Sequence, residues 1–297
     1  MHPQALIYFT KNHAFNAPGI YPYGLCMGVG IILCFLFLLF TMWKKKFNDA
    51  ASDTILLIGI FGTGFGIFAA MLFQATYNYI DDPSAGFDLL SGMTFIGGLI
   101  GGVVSFLGVY FLYMYVVRPR TKIKLLTNHM NATLTDALPF IPIGICIAHA
   151  FGRLGCFFGG CCYGRRTDAW YGIACSAIHG ETLPYNVVPT QLFEMAFLLV
   201  LAGVMALLYF KRRFNCNFAV YMIAYGIWRF LIEFVRADDR GALILGLQPS
   251  QFWSLIMIPL GVGYIFLYLF VLKKQMKHPE LQTDEKQKTT EAVEGEQ

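Results

Sequence analysis

Seven stretches of this chain are apolar for about twenty residues each, and short polar or charged clusters separate them. They cover roughly 23–43, 54–73, 92–117, 136–158, 190–210, 217–235 and 250–272. A helix rises about 1.5 Å per residue, so runs of this length span a hydrocarbon core about 30 Å thick. Backbone polar groups find no water at that depth, and a helix satisfies them within one segment. The pattern predicts an all-α, polytopic membrane protein with about seven transmembrane helices. Outside the runs, residues 1–20 carry Tyr8, Phe9, Phe15 and two prolines, and read as an arm on the outer face. Residues 278–297 are almost free of apolar side chains and read as a disordered cytoplasmic tail. Residues 21–277 then form one seven-helix domain.

Charge sets the orientation. Lys44, Lys45 and Lys46 follow the first run, and Arg118, Arg120, Lys122 and Lys124 the third. Lys211, Arg212 and Arg213 follow the fifth, and Lys273, Lys274 and Lys277 the seventh. Basic residues concentrate in cytoplasmic loops, so the N-terminus is expected outside and the C-terminus inside. The other loops carry Asp81, Asp82 and Asp88, or Asp238 and Asp239. With 57% hydrophobic and only 13% charged residues, a soluble fold is excluded. The net charge of +4 lies in the topology clusters and is no nucleic-acid footprint. The start lacks a basic segment leading into an apolar core, so no cleaved signal peptide is expected.

The fourth run ends in HAFGRLGCFFGGCCYG, from His149 to Gly164, where an arginine stands among glycines and cysteines. A charge at the membrane needs a partner or a purpose. On the expected topology, Tyr23, Arg153, Gln191, Glu194 and Arg236 all lie at the outer boundary. Arg229, Glu233 and Arg236 share one helix face. Such a cationic pocket suits a phospholipid phosphate, which arginine grips bidentately. Gly155, Gly159 and Gly160 let backbone N–H groups approach the same anion. Arg229 lies deeper and reads equally as a structural partner of Glu233. His149, one turn before Arg153, is either a core histidine or a proton carrier with a pKa suited to neutral pH. Cys156, Cys161, Cys162 and Cys175 are on the outer side, where two disulfides are an option. C-x4-C-C-x12-C is no standard zinc spacing, and no metal site is assigned. Tyr21, Tyr23, Trp170 and Tyr171 fit an interfacial aromatic belt.

GRLGCFFGG followed by Gly164 resembles the signature of the prolipoprotein diacylglyceryl transferases. In matching order come YGL at 23–25, MTFIGGLIGG at 93–102, PTQLFE at 189–194, YGIWRFLIEFVR at 225–236 and SQFWSLIMI at 250–258. The resemblance implies seven helices with the N-terminus outside. It also implies transfer of the diacylglyceryl group of phosphatidylglycerol to the lipobox cysteine of a preprolipoprotein signal peptide, through a thioether. The reaction would take place at the outer side of the bacterial cytoplasmic membrane, with no metal or other cofactor. The partners it implies are phosphatidylglycerol, that signal peptide and the lipid bilayer, with no nucleic acid. Arg153 and Arg236 match the family's functional arginines, Tyr23 its tyrosine and Gly164 its motif glycine. Gly97, Gly98, Gln191, Glu194, Arg229 and Glu233 fall within the other matching segments as substrate-binding candidates. The chain departs from the pattern at Ile96, where the family has a histidine, and at Cys156, Cys161 and Val188. A different acceptor, or a non-catalytic phospholipid-binding protein, is the alternative these departures raise.

Overall fold

The computed structural model describes residues 22–90, 95–117, 120, 130, 132–176, 182–236 and 247–272. The N-terminal arm, the C-terminal tail and the acidic loop after Arg236 lie outside these residues. So do Tyr21, Met93, Thr94 and most of the basic clusters at 118–124 and 273–277.

In chain order the elements are α1 (Pro22–Lys44), α2 (Asp49–Asp81), α3 (Phe95–Phe111), α4 (Leu134–Ala137) and α5 (Ile141–Phe158). Then come β1 (Ile173–Ser176), β2 (Thr182–Val187), α6 (Thr190–Arg212), α7 (Asn217–Ile232) and α8 (Pro249–Leu267). α3 runs on into a π-helical turn at Leu112–Val117, and α8 into another at Tyr268–Leu272. Among the described residues, six helices are long and apolar enough to cross a membrane, and Val104–Val117 is a shorter apolar helix. Each of the seven apolar runs contains a helix among its described residues, and the protein is an all-α, polytopic membrane protein.

The boundaries differ from the expected ones in two places. The fourth run is not one helix: it breaks between α4 and α5, where Pro139 restrains the residue before it and Pro142 opens α5. α2 continues past its apolar stretch to Asp81, and on that extension Gln74 Nε2 donates to Asn78 Oδ1 at 2.8 Å.

The described residues fall into two compact units. Residues 42–134 form one, in which α2 and α3 pack through small residues. A Cβ on Gly101 would overlap the Ala69 side chain, and one on Gly66 would stand 3.0 Å from Gly102 Cα. Pairing Gly62 with Phe106 and Ala70 with Gly98 makes the two helices antiparallel. Thr54 Oγ1 and Tyr113 OH meet at 3.2 Å in this interface.

Residues up to 41 and from 135 onward form the other unit. Here α1 crosses α5 closely: a Cβ on Gly30 would lie 2.7 Å from Phe151 Cβ, and one on Gly144 2.9 Å from Cys34 Sγ. α7 meets α8 the same way through Gly226 and Gly261. Asn217 opens α7, and its buried Nδ2 donates to the carbonyls of Pro139 at 2.9 Å and Met205 at 3.2 Å. That bond fixes the α6–α7 turn beside the α4–α5 break. The antiparallel hairpin of β1 and β2, unforeseen in the sequence, pairs Ile173 with Val187 and Ser176 with Thr182.

Candidate active site

α5 carries His149 and Arg153 one turn apart, so both face the same neighbours, α6 and α7. Glu194 lies in the second turn of α6 and is fully buried. Arg153 Nη2 approaches its Oε1 to 3.1 Å, with the arginine side chain 11% exposed. Tyr225 of α7 donates its hydroxyl to the same oxygen at 2.9 Å. The His149 ring stands edge-on to Tyr225, with Nε2 3.4 Å from that hydroxyl. Side chains from three helices thus form one chain, His149–Tyr225–Glu194–Arg153. A buried carboxylate is costly unless a charge and hydrogen bonds compensate it, and here Arg153 and Tyr225 do so. Among the described residues, Arg153 Nε and Glu194 Oε2 have no hydrogen-bond partner, which leaves donor and acceptor capacity at this point.

A second charged group lies along α7. Arg229 Nη2 is 2.9 Å from Glu233 Oε2 and donates to Ser250 Oγ of α8 at 2.6 Å. Arg236 Nε is 3.9 Å from the same Oε2, and its side chain is 1% exposed. Arg236 is held by backbone pairing: Gly164 bridges to it, and the Arg165 N–H donates to the Val235 carbonyl at 2.8 Å. Gly164 is required here by space. A Cβ would come within 2.8 Å of Val188 Cβ and 2.9 Å of both Thr190 Cγ2 and the Val235 oxygen.

The two groups meet at the loop that follows α5. Cys162 hydrogen-bonds the Arg236 guanidinium and lies within Coulombic reach of Arg153. Tyr23 is within such reach of Arg153, Cys156, Cys161 and Cys162. Its ring also packs on α5, since a Cβ on Gly155 would lie 3.1 Å from Tyr23 Cδ2. The structure therefore gathers Tyr23, Arg153 and Arg236 around one short loop. Gly160 (φ +67°) and Cys162 (φ +65°) turn that loop through the left-handed region. Buried side chains of α6 pin it: Thr190 Oγ1 donates to the Cys162 carbonyl at 2.7 Å, and Gln191 Nε2 to the Cys161 carbonyl at 2.6 Å. Hydrogen bonds from Cys156 and Cys161, with Arg236 beside it, hold the Cys162 thiol well below its ordinary pKa. Hydrogen bonding with Cys156 and Cys162 pushes Cys161 up.

Other candidates are placed differently. The Gly159 and Gly160 N–H groups bond back to the carbonyls of Gly155 (2.8 Å) and Phe157 (3.3 Å), closing the helix end. Gly97 and Gly98 belong to the unit of residues 42–134, where Gly98 packs near Ala70. Cys156, Cys161 and Cys162 are thiols rather than disulfides, and the Cys175 side chain lies outside the described residues. Trp170 is 94% exposed, with Tyr171 edge-on to it. Sequence reasoning missed Tyr225, Thr190 and Ser250. Tyr225 was within reach, because it continues the 229, 233 polar face by one more turn.

The family model described as prolipoprotein diacylglyceryl transferase matches residues 12–267. The chain belongs to this family. A phosphatidylglycerol–prolipoprotein diacylglyceryl transferase of Dehalococcoides mccartyi (strain ATCC BAA-2266 / KCTC 15142 / 195) is 33% identical over 258 residues, covering 83% of this chain and 88% of the relative. A protein of the same name from Clostridium tetani (strain Massachusetts / E88) is 29% identical over 246 residues, covering 82% and 91%. One from Bordetella bronchiseptica (strain ATCC BAA-588 / NCTC 13252 / RB50) is 33% identical over 217 residues, covering 68% and 71%. The matched region includes every residue of the arginine-centred site, from Tyr23 to Arg236.

Proposed function

We propose that this chain transfers the diacylglyceryl group of phosphatidylglycerol to the lipobox cysteine thiol of a preprolipoprotein, at the outer face of the bacterial cytoplasmic membrane. The observation that carries the reading is the convergence of Arg153 and Arg236 on the Cys162 loop, within a family match that spans residues 12–267. In this reaction the acceptor sulfur attacks the glycerol carbon, the carbon–oxygen bond to phosphate breaks, and glycerol phosphate leaves with the electron pair. Two guanidinium groups beside the departing phosphate stabilise the charge it gains. Arg153 has unused donor capacity for an oxygen at Nε. Tyr23 flanks the same loop and orients the lipid. His149 takes the acceptor proton, with Tyr225 and Glu194 aligning its ring. Gln191 shapes the loop, and Glu194, Arg229 and Glu233 keep the arginines in place. Gly155 permits close approach of the backbone to Tyr23, and Gly164 to Val188 and Thr190.

Complementation of a strain depleted of its own diacylglyceryl transferase tests this reading, alongside a transfer assay with phosphatidylglycerol vesicles and a lipobox peptide. Thioether formation that Arg153→Lys abolishes is the expected result. A second reading, a different thiol or hydroxyl acceptor, is favoured by Ile96, Cys156 and Cys161 standing where the family pattern differs. Release of glycerol phosphate without modification of the lipobox peptide would select it. Neither product from a stably folded chain would leave a phospholipid-binding protein.

A further inference from the structure

The cysteines at 156, 161 and 162 have no part in the chemistry above. One comes from the last turn of α5 and two from the pinned loop after it. Their three sulfur atoms all lie within 4.8 Å of one another. Thiolates bound to one zinc ion at about 2.3 Å stand roughly 3.8 Å apart in a tetrahedron, so an inward movement of about 1 Å suffices. We propose that Cys156, Cys161 and Cys162 form a binding site for a thiophilic divalent cation of the zinc class. The geometry of the loop supports it: the Thr190 and Gln191 side chains fix the carbonyls of two successive ligand residues. Cys161 Sγ also donates to the Cys156 carbonyl at 3.6 Å, which holds it against the end of α5.

Charge points the same way. Three thiolates and a divalent ion sum to one negative charge, and Cys162 faces the Arg236 guanidinium with Arg153 in Coulombic reach. With Glu194 on Arg153 and Glu233 shared between Arg229 and Arg236, these charges leave about one positive charge beside the site to balance the loaded centre. Soft sulfur donors select zinc-class ions over magnesium or calcium, which prefer oxygen. Three protein ligands also leave one corner of the tetrahedron for a solvent or substrate atom. The three residues are partly accessible, so an ion has a route in. This proposal stands whether or not the transferase reading holds, because it concerns binding alone.

The test uses the full chain in detergent, reduced with a phosphine and titrated with cobalt(II) alone, then zinc(II) alone. One cobalt per chain, with a thiolate-to-cobalt charge-transfer band that zinc bleaches, is the expected result. Cys161→Ser should weaken binding about 100-fold or more, since each of three ligands carries a large share of the affinity. Cys216→Ser, at the start of α7, should leave it unchanged. Because a variant can misfold, thiol alkylation of the unaltered chain is read by mass spectrometry in parallel. Zinc should protect Cys156, Cys161 and Cys162, and not Cys26. Absence of the charge-transfer band, equal binding by Cys161→Ser, or a disulfide within the trio under these reducing conditions would overturn the proposal.

Discussion

Replacing Glu194 by glutamine removes one charge from the middle of the helix bundle and nothing else of size. Its carboxylate is fully buried and 3.1 Å from Arg153. A unit pair at that separation gains about 5 kcal/mol at an effective dielectric of 20, before desolvation is counted. Removing one partner of a buried pair leaves the other charge uncompensated, at a cost of about 3–5 kcal/mol. The Tyr225 hydrogen bond moderates this little, because glutamine still accepts it and a neutral bond is worth only about 1 kcal/mol. Glu194→Gln should therefore lower the thermal midpoint of the full chain in detergent by on the order of 10 °C. Transfer activity should fall as well, because Arg153 is no longer held. The double variant Glu194→Gln, Arg153→Met decides the cause. Without a stranded charge it should regain most of the stability and still be inactive. An unchanged midpoint in the single variant, or a double variant no more stable than the single, would refute the reasoning.

Gly164→Ala should destabilise by about 1–3 kcal/mol and impair activity, because the new methyl group pushes against Val188, Thr190 and the Val235 carbonyl just before Arg236. A thermal melt with a transfer assay checks both. His149→Gln should lower turnover on the order of 100-fold, whereas unchanged turnover in a stably folded variant would make His149 structural. Cys162, with its pKa lowered, should stay reactive towards an uncharged maleimide as pH falls below the ordinary thiol range. Cys161, with its pKa raised, should lose reactivity already at higher pH, and site-resolved mass spectrometry reads the order. For topology, a cysteine placed at Gln282 should resist a membrane-impermeant reagent in intact cells, and its labelling there would reverse the proposed orientation.

The helices were legible because membrane burial writes itself into composition: each needs a long apolar run, and nothing else in the chain has one. α5 shows the limit of that signal. Hydrophobicity continues across Pro139, so the run looked unbroken, and only the backbone restraint of proline divides it. The hairpin of β1 and β2 was invisible for another reason. Its strands are only four and six residues long, too short for a periodic pattern to stand out.

The candidate site divides along the same line. Arg153, Glu194, Arg229 and Glu233 were found because a charge in an apolar run is conspicuous and helical spacing says which charges share a face. Which charge pairs with which was not found. Sequence offered Glu233 as a partner for Arg229, and that pair exists, but the partner of Arg153 comes from a different helix. The pairing matters for mechanism. Two arginines near one loop would repel each other and any bound ligand would have to offset that cost alone. Glu194 neutralises Arg153 in advance, and Glu233, shared with Arg229, offsets part of the charge on Arg236. In the proposed mechanism Arg153 and Arg236 then approach the same anion, and the helices that carry their carboxylate partners, rather than the lipid, hold them in place.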